Sequence, residues 1–147
     1  MRLAFIASTF AAMTVLSPAL ARSRCADLGD AIARRTTARV IGVTAEFGNI
    51  QFEHPAAHEM TLFCGPSARP ELFVAYEGNL DLRFLGLASV GGSVLVGKPV
   101  PMKVVTDCLA AAAIDPAAMA ERLTGRARLQ CRAYVVDGNG DVTISAR

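Results

Sequence analysis

Ala127-Arg128-Leu129-Gln130-Cys131-Arg132-Ala133-Tyr134-Val135 alternates small or apolar residues with basic and polar ones, and Asp137-Gly138-Asn139-Gly140 follows with turn chemistry at every position. A period of two is the mark of a strand with one buried face, and glycine beside Asp or Asn supplies the backbone freedom of a reversal. Val142 and Ile144 resume the apolar pattern, so the two runs read as a closing β-hairpin. Paired residue numbers must sum to an odd value for Val142 and Ile144 to share the apolar face. A two- or four-residue loop meets that condition and a three-residue loop does not.

A second hairpin lies upstream. Ile50, Phe52 and His54 share one parity, as do His58, Met60, Leu62 and Cys64 after Pro55-Ala56-Ala57. A loop over 55–57 sets Ile50 opposite Leu62, Phe52 opposite Met60 and His54 opposite His58, with all the apolar partners on one face. The competing reading starts a short helix at Pro55. Before this hairpin, residues 39–47 alternate loosely and Gly48-Asn49 supplies a turn. After it, residues 65–70 form a loop rich in glycine and proline, and residues 71–77 read as a further strand.

Helical spacing accounts for the remainder. Leu28, Ala31, Ile32 and Arg35 recur over about residues 25–36, with Asp27 and Asp30 early and Arg34 and Arg35 late, as the helix dipole favours. Leu80 to Gly97 has the length and content of a buried helix, although four glycines weaken it. Val104, Val105, Cys108, Leu109 and Ala112 form an inward stripe, and Asp115-Pro116 with Gly125 predicts a short helix over 116–124. The expected fold class is α+β: an antiparallel sheet with helices packed on one face, closed by a C-terminal β-hairpin, with two disulfides.

The N-terminus has the order of an export signal. Arg2 precedes an apolar run from Leu3 to Leu16, and Ala19-Leu20-Ala21 is an A-x-A cleavage site, so residues 1–21 read as a signal peptide and 22–147 as one mature domain. The apolar run is shorter than the roughly 20 residues that span a bilayer, so no membrane span is expected after cleavage. Periplasmic or secreted localisation follows. Cys25, Cys64, Cys108 and Cys131 all survive cleavage, and an even number of cysteines in an oxidising compartment reads as two bridges. Cys108 and Cys131 lie on inward faces of a helix and a strand close in sequence, which leaves Cys25 for Cys64.

Charge excludes one class of partner. The chain has 15 basic and 13 acidic residues, a balance of 14 to 13 without Arg2, and that near-neutrality argues against a nucleic-acid binder. Several motifs fail on context. Gly92-Ser93-Val94-Leu95-Val96-Gly97-Lys98 has the spacing of a phosphate-binding loop, but Pro99 stands where a magnesium-binding hydroxyl belongs. Asp137, Asn139 and Asp141 begin like a calcium loop, but Val142 replaces its glycine and Arg147 ends the chain before its closing glutamate. Arg126, Arg128 and Arg132 read as one strand face, either solvated or a shallow anion site.

His54 and His58 are the only histidines. With Met60 beside them they form a nitrogen and thioether set suited to Cu(I), against the plainer alternative of two histidines at the wet end of a hairpin. No G-x-S-x-G, H-E-x-x-H or Cys-His signature is present, so catalysis is not expected and no cofactor is implied. The expectation is a small non-catalytic accessory or binding protein with an unidentified protein or small-molecule ligand. The alternatives are copper handling through His54, His58 and Met60, and carriage of a small apolar ligand. An interaction protein requires an exposed apolar patch and a carrier requires an unfilled apolar pocket.

Overall fold

The computed structural model describes residues 18–65, 69–134 and 137–147, with side chains from Arg24 onward. Most of the expected export signal, part of the loop at 65–70 and Val135 lie outside the described residues. The elements in chain order are α1 (Pro18–Thr36), β1 (Arg39–Val43), β2 (Ile50–Glu53), β3 (Glu59–Phe63), β4 (Glu71–Tyr76), α2 (Leu82–Val96), α3 (Met102–Ile114), β5 (Ala120–Thr124), β6 (Ala127–Tyr134) and β7 (Asn139–Ala146). The helix expected from about residue 25 thus begins at Pro18.

All seven strands form one antiparallel sheet in the order β1-β2-β3-β4-β7-β6-β5. The first four strands make a meander. Helices α2 and α3 then carry the chain to the far edge, and β5, β6 and β7 return inward until β7 pairs with β4.

Parity decides which face the helices cover. Ile50, Phe52, Met60, Leu62, Leu72, Val74, Leu129, Cys131, Val142 and Ile144 are all buried and share one face. The register is the expected one in both hairpins. Ile50 pairs with Leu62 and Phe52 with Met60. Tyr134 pairs with Asn139, Cys131 with Val142 and Leu129 with Ile144, which leaves a four-residue connection over 135–138.

Helix α2 is held at both ends by local chemistry. The Phe84 N–H donates to Asp81 Oδ1 at 2.9 Å as an N-cap, and Gly97 closes the helix at φ +67°. Its glycines are where the helix presses on the sheet. A Cβ on Gly91 would lie 2.7 Å from Leu72 Cδ2, and one on Gly92 would lie 2.7 Å from Ile144 Cδ1. The residues that resembled a phosphate-binding loop are therefore the contact side and C-terminal end of a packed helix.

The disulfides are Cys25–Cys64 and Cys108–Cys131, with Cα separations of 6.0 and 5.8 Å. The first ties α1 to the end of β3 and the second ties α3 to β6. Two bridges fit an oxidising extracytoplasmic compartment. Among the described residues, no helix is long and apolar enough to cross a membrane.

The short helix expected over 116–124 is not formed, and β5 stands in its place. Asp115 does initiate a turn: its carboxylate accepts from the Ala117 N–H at 3.2 Å and its carbonyl from the Ala118 N–H at 3.0 Å. The chain then straightens, because residues 120–124 pair with β6 from Ala120 opposite Cys131 to Thr124 opposite Ala127. Gly125, at φ +54°, serves the hairpin reversal. Asp-Pro and glycine signals suit either structure, and pairing with a ready-made strand outweighs weak helix propensity.

Candidate functional site

The histidines mark one end of the sheet. His54 and His58 both lie in the β2–β3 connection, where residues 55–56 form a turn and no helix. His54 Nδ1 accepts from the Ala56 N–H at 3.1 Å, an Asx-like arrangement that holds the turn. The His58 N–H donates to the Ala75 carbonyl at 2.9 Å, which stitches the connection to β4, and His58 Nδ1 lies 2.9 Å from Glu77 Oε2. Met60 faces the other way in space: it is buried in the core, its methyl next to Gly91 of α2. The three candidate ligands thus occupy a turn, an exposed contact with Glu77 and the core.

His58 also lines a cleft of about 300 Å³ with Tyr76, Glu77, Asn79, Asp81 and Arg83. Its polar side chains contact one another. Glu77 takes His58, and Asp81 Oδ2 takes the Arg83 guanidinium at 2.9 Å. The Phe84 amide, aided by Arg83, holds the Asp81 carboxyl below its ordinary range. Burial, aided by the negative charge of Asp141, pushes the Tyr76 phenol up, and the ring stands edge-on to Phe84 at a centroid distance of 4.9 Å. The contacts of His58 with Glu77 and of Asp81 with Arg83 and the Phe84 amide order this end of the sheet.

The open face of the sheet has the same character. Arg128 donates through Nε and Nη2 to Glu121 Oε2 at 2.8 and 2.6 Å, and Arg132 sits opposite Asp141 in the ladder. Arg126 lies in the β5–β6 turn. The three arginines therefore do not form an uncompensated row. In the supposed calcium loop, Asn139 Oδ1 accepts from the Gly78 N–H at 3.3 Å, and Asp141 is a strand residue. Phe63 and Phe73 meet on this face at 6.4 Å.

The edges of the sheet differ from both of these regions. On β1, Val40, Ile41 and Val43 are exposed, Ile41 at 55% and Val43 at 64%, and Phe47 in the following turn is exposed too. The register slips between Val40 and Gly42, so Ile41 is the extra residue of a β-bulge. Thr44 shapes the turn: its amide donates to the Asn49 carbonyl, its carbonyl accepts from the Gly48 N–H and its hydroxyl accepts from the Asn49 N–H, at 2.9, 2.9 and 3.0 Å. Asn49 Oδ1 in turn accepts from the Cys64 N–H at 2.8 Å. Beside the edge, Ala26, Val43, Thr44, Ala45, Gly48 and Ile50 line a depression of about 320 Å³.

This apolar edge was not legible as a site in the sequence. Val40-Ile41-Gly42-Val43 is apolar on both parities, the one available signal, but only the strand order reveals that no strand among the described residues flanks it. The chain matches no family model, no curated protein and no solved structure.

Proposed function

We propose that the chain is a non-catalytic accessory protein of the cell envelope or secreted fraction, exported by cleavage after Ala21, that acts by contact with another protein through the β1 edge. One observation carries this reading: Val40, Ile41, Val43 and Phe47 cluster as exposed apolar side chains at the border of the sheet, next to an open depression. Water around such a group is released on contact, at about 25 cal/mol per Å² of apolar surface covered. Contiguous exposed apolar surface is the usual mark of an interaction site.

The bulge at Ile41 shapes how a partner meets this edge. It interrupts the ladder that an added strand would need, so side-chain packing and not strand addition provides the affinity. The disulfides and the hydrogen bond from Cys64 to Asn49 support a pre-shaped surface, which lowers the ordering cost of binding.

Gel filtration of gently lysed exporting cells tests the proposal. The native protein should elute ahead of the purified chain, and an Ile41→Lys, Val43→Lys variant exported at the same level should elute with the purified chain. Identical elution of native and variant protein would refute contact through β1.

A further inference from the structure

A second surface lies on the helical side of the molecule, where the C-terminal turn of α1 meets the C-terminal half of α2. Arg35, Val90, Ser93, Val94, Gly97 and Lys98 line a groove there of about 500 Å³, with Pro99 closing one end. Val90, Val94 and Pro99 make its apolar floor. Arg35 and Lys98 stand on its rim, both exposed, and neither has an ion pair among the described residues. No lining residue is acidic. Ser93 is already engaged, donating to the Ser89 carbonyl at 2.6 Å and accepting from the Val100 N–H at 2.9 Å.

We infer that this groove binds a single-chain amphiphile with an anionic head, a carboxylate or a phosphate monoester. Charge complementarity names the head: two cations line this groove and no acidic side chain does, whereas the His58 cleft is lined by the carboxylates of Glu77 and Asp81. Val90 and Val94 offer the chain an apolar strip along an open groove. Arginine favours a planar or tetrahedral oxyanion through its forked donors, and lysine adds a mobile point charge. The competing role for both cations is to complement the negative ends of α1 and α2. The carbonyl ends of both helices draw on the same cations and reduce their pull on an anion, so the comparison of anionic with cationic probes measures the field that is left.

The test uses the exported, disulfide-bonded protein and three ten-carbon probes below their micelle concentrations: decanoate, decyl phosphate and decyltrimethylammonium. Resonances of the Val90 and Val94 methyls and the Gly97 amide should shift and saturate at one equivalent with either anionic probe, and stay put with the cation. The stronger of the two anionic probes identifies the head. Lys98→Gln should weaken binding several-fold and Arg35→Gln with Lys98→Gln at least tenfold, with the remaining resonances unmoved as the control for folding. Equal binding of all three probes would overturn the inference, as would shifts centred elsewhere, affinity unchanged in the double variant, or binding to anionic vesicles without binding to free decanoate.

Discussion

The two edges of the sheet solve the same problem differently. At the β5 edge, Glu121, Arg122 and Arg128 place charge along the border, and Leu123 is the one exposed large apolar side chain of the strand. Charged edges discourage association. At the β1 edge, Arg39 is taken up by Glu53 and the following residues are Val40, Ile41, Gly42 and Val43. Cys108–Cys131 anchors β6, the neighbour of β5, whereas Cys25–Cys64 anchors the end of β3, two strands in from β1. The two edges also differ in what they show to solvent, and that difference is why the proposed contact is placed on β1.

The largest expected effects come from the bridges that hold the two sides. Closing loops of 39 and 23 residues stabilises by about 3 to 4 kcal/mol each on chain-entropy grounds. Cys108 and Cys131 are both fully buried, so replacing them with alanine also leaves a packing defect. Urea denaturation of Cys108→Ala, Cys131→Ala and of Cys25→Ala, Cys64→Ala should therefore show both destabilised and the first pair more so. A smaller loss at the buried pair would mean that the β5 side is less tightly held than its packing implies.

The seam between α2 and the sheet comes next. Gly92→Ala places a methyl against Ile144, and Gly91→Ala against Leu72. Overpacking of this kind costs about 1 to 3 kcal/mol, less whatever the alanine returns in helix propensity. Thermal melts of either variant should shift downward. Unchanged melting would show that the helix can ride up without loss.

Sharper still is the exchange of character between the edges. Ile41→Lys and Leu123→Lys both alter exposed positions and should each change stability by no more than about 0.5 kcal/mol. They should differ in association, because only the first removes part of the apolar patch. Equal effects on association would erase the distinction drawn between the edges.

The smallest effect concerns Asp141 on the open face. Burial raises its carboxyl above the ordinary range, with Arg132 opposing. A carboxyl that holds its proton more tightly in the folded state disfavours folding once ionised. The penalty is absent below the unfolded pKa, grows as pH rises through the window up to the folded value, and is full above it. Asp141→Asn should therefore raise the melting temperature at neutral pH relative to its effect at acid pH. A gain confined to acid pH would contradict the sign.

Much of this fold is legible in residue order, for a physical reason. Side-chain parity fixed the register of β2 with β3 and of β6 with β7, because a slip of one residue would turn Phe52, Met60, Leu129 and Val142 to solvent. The same parity placed Cys131 inward, which determined its pairing with Cys108 and left Cys25 for Cys64. Residues 116–124 misled because Asp115-Pro116 and Gly125 punctuate a turn and a hairpin as readily as a helix. Strand order has no local signature, so neither the exposed β1 edge nor the groove that Arg35 and Lys98 both line could be read before the elements were placed.

The most direct measurement is site-specific photo-crosslinking in the exporting cell, with a photoreactive side chain at position 41 on β1 and, separately, at position 123 on β5. A discrete adduct from position 41 and none from position 123 is the predicted result. Adducts from position 123 alone, or the same products from both edges, would contradict the assignment of β1 as the contact surface.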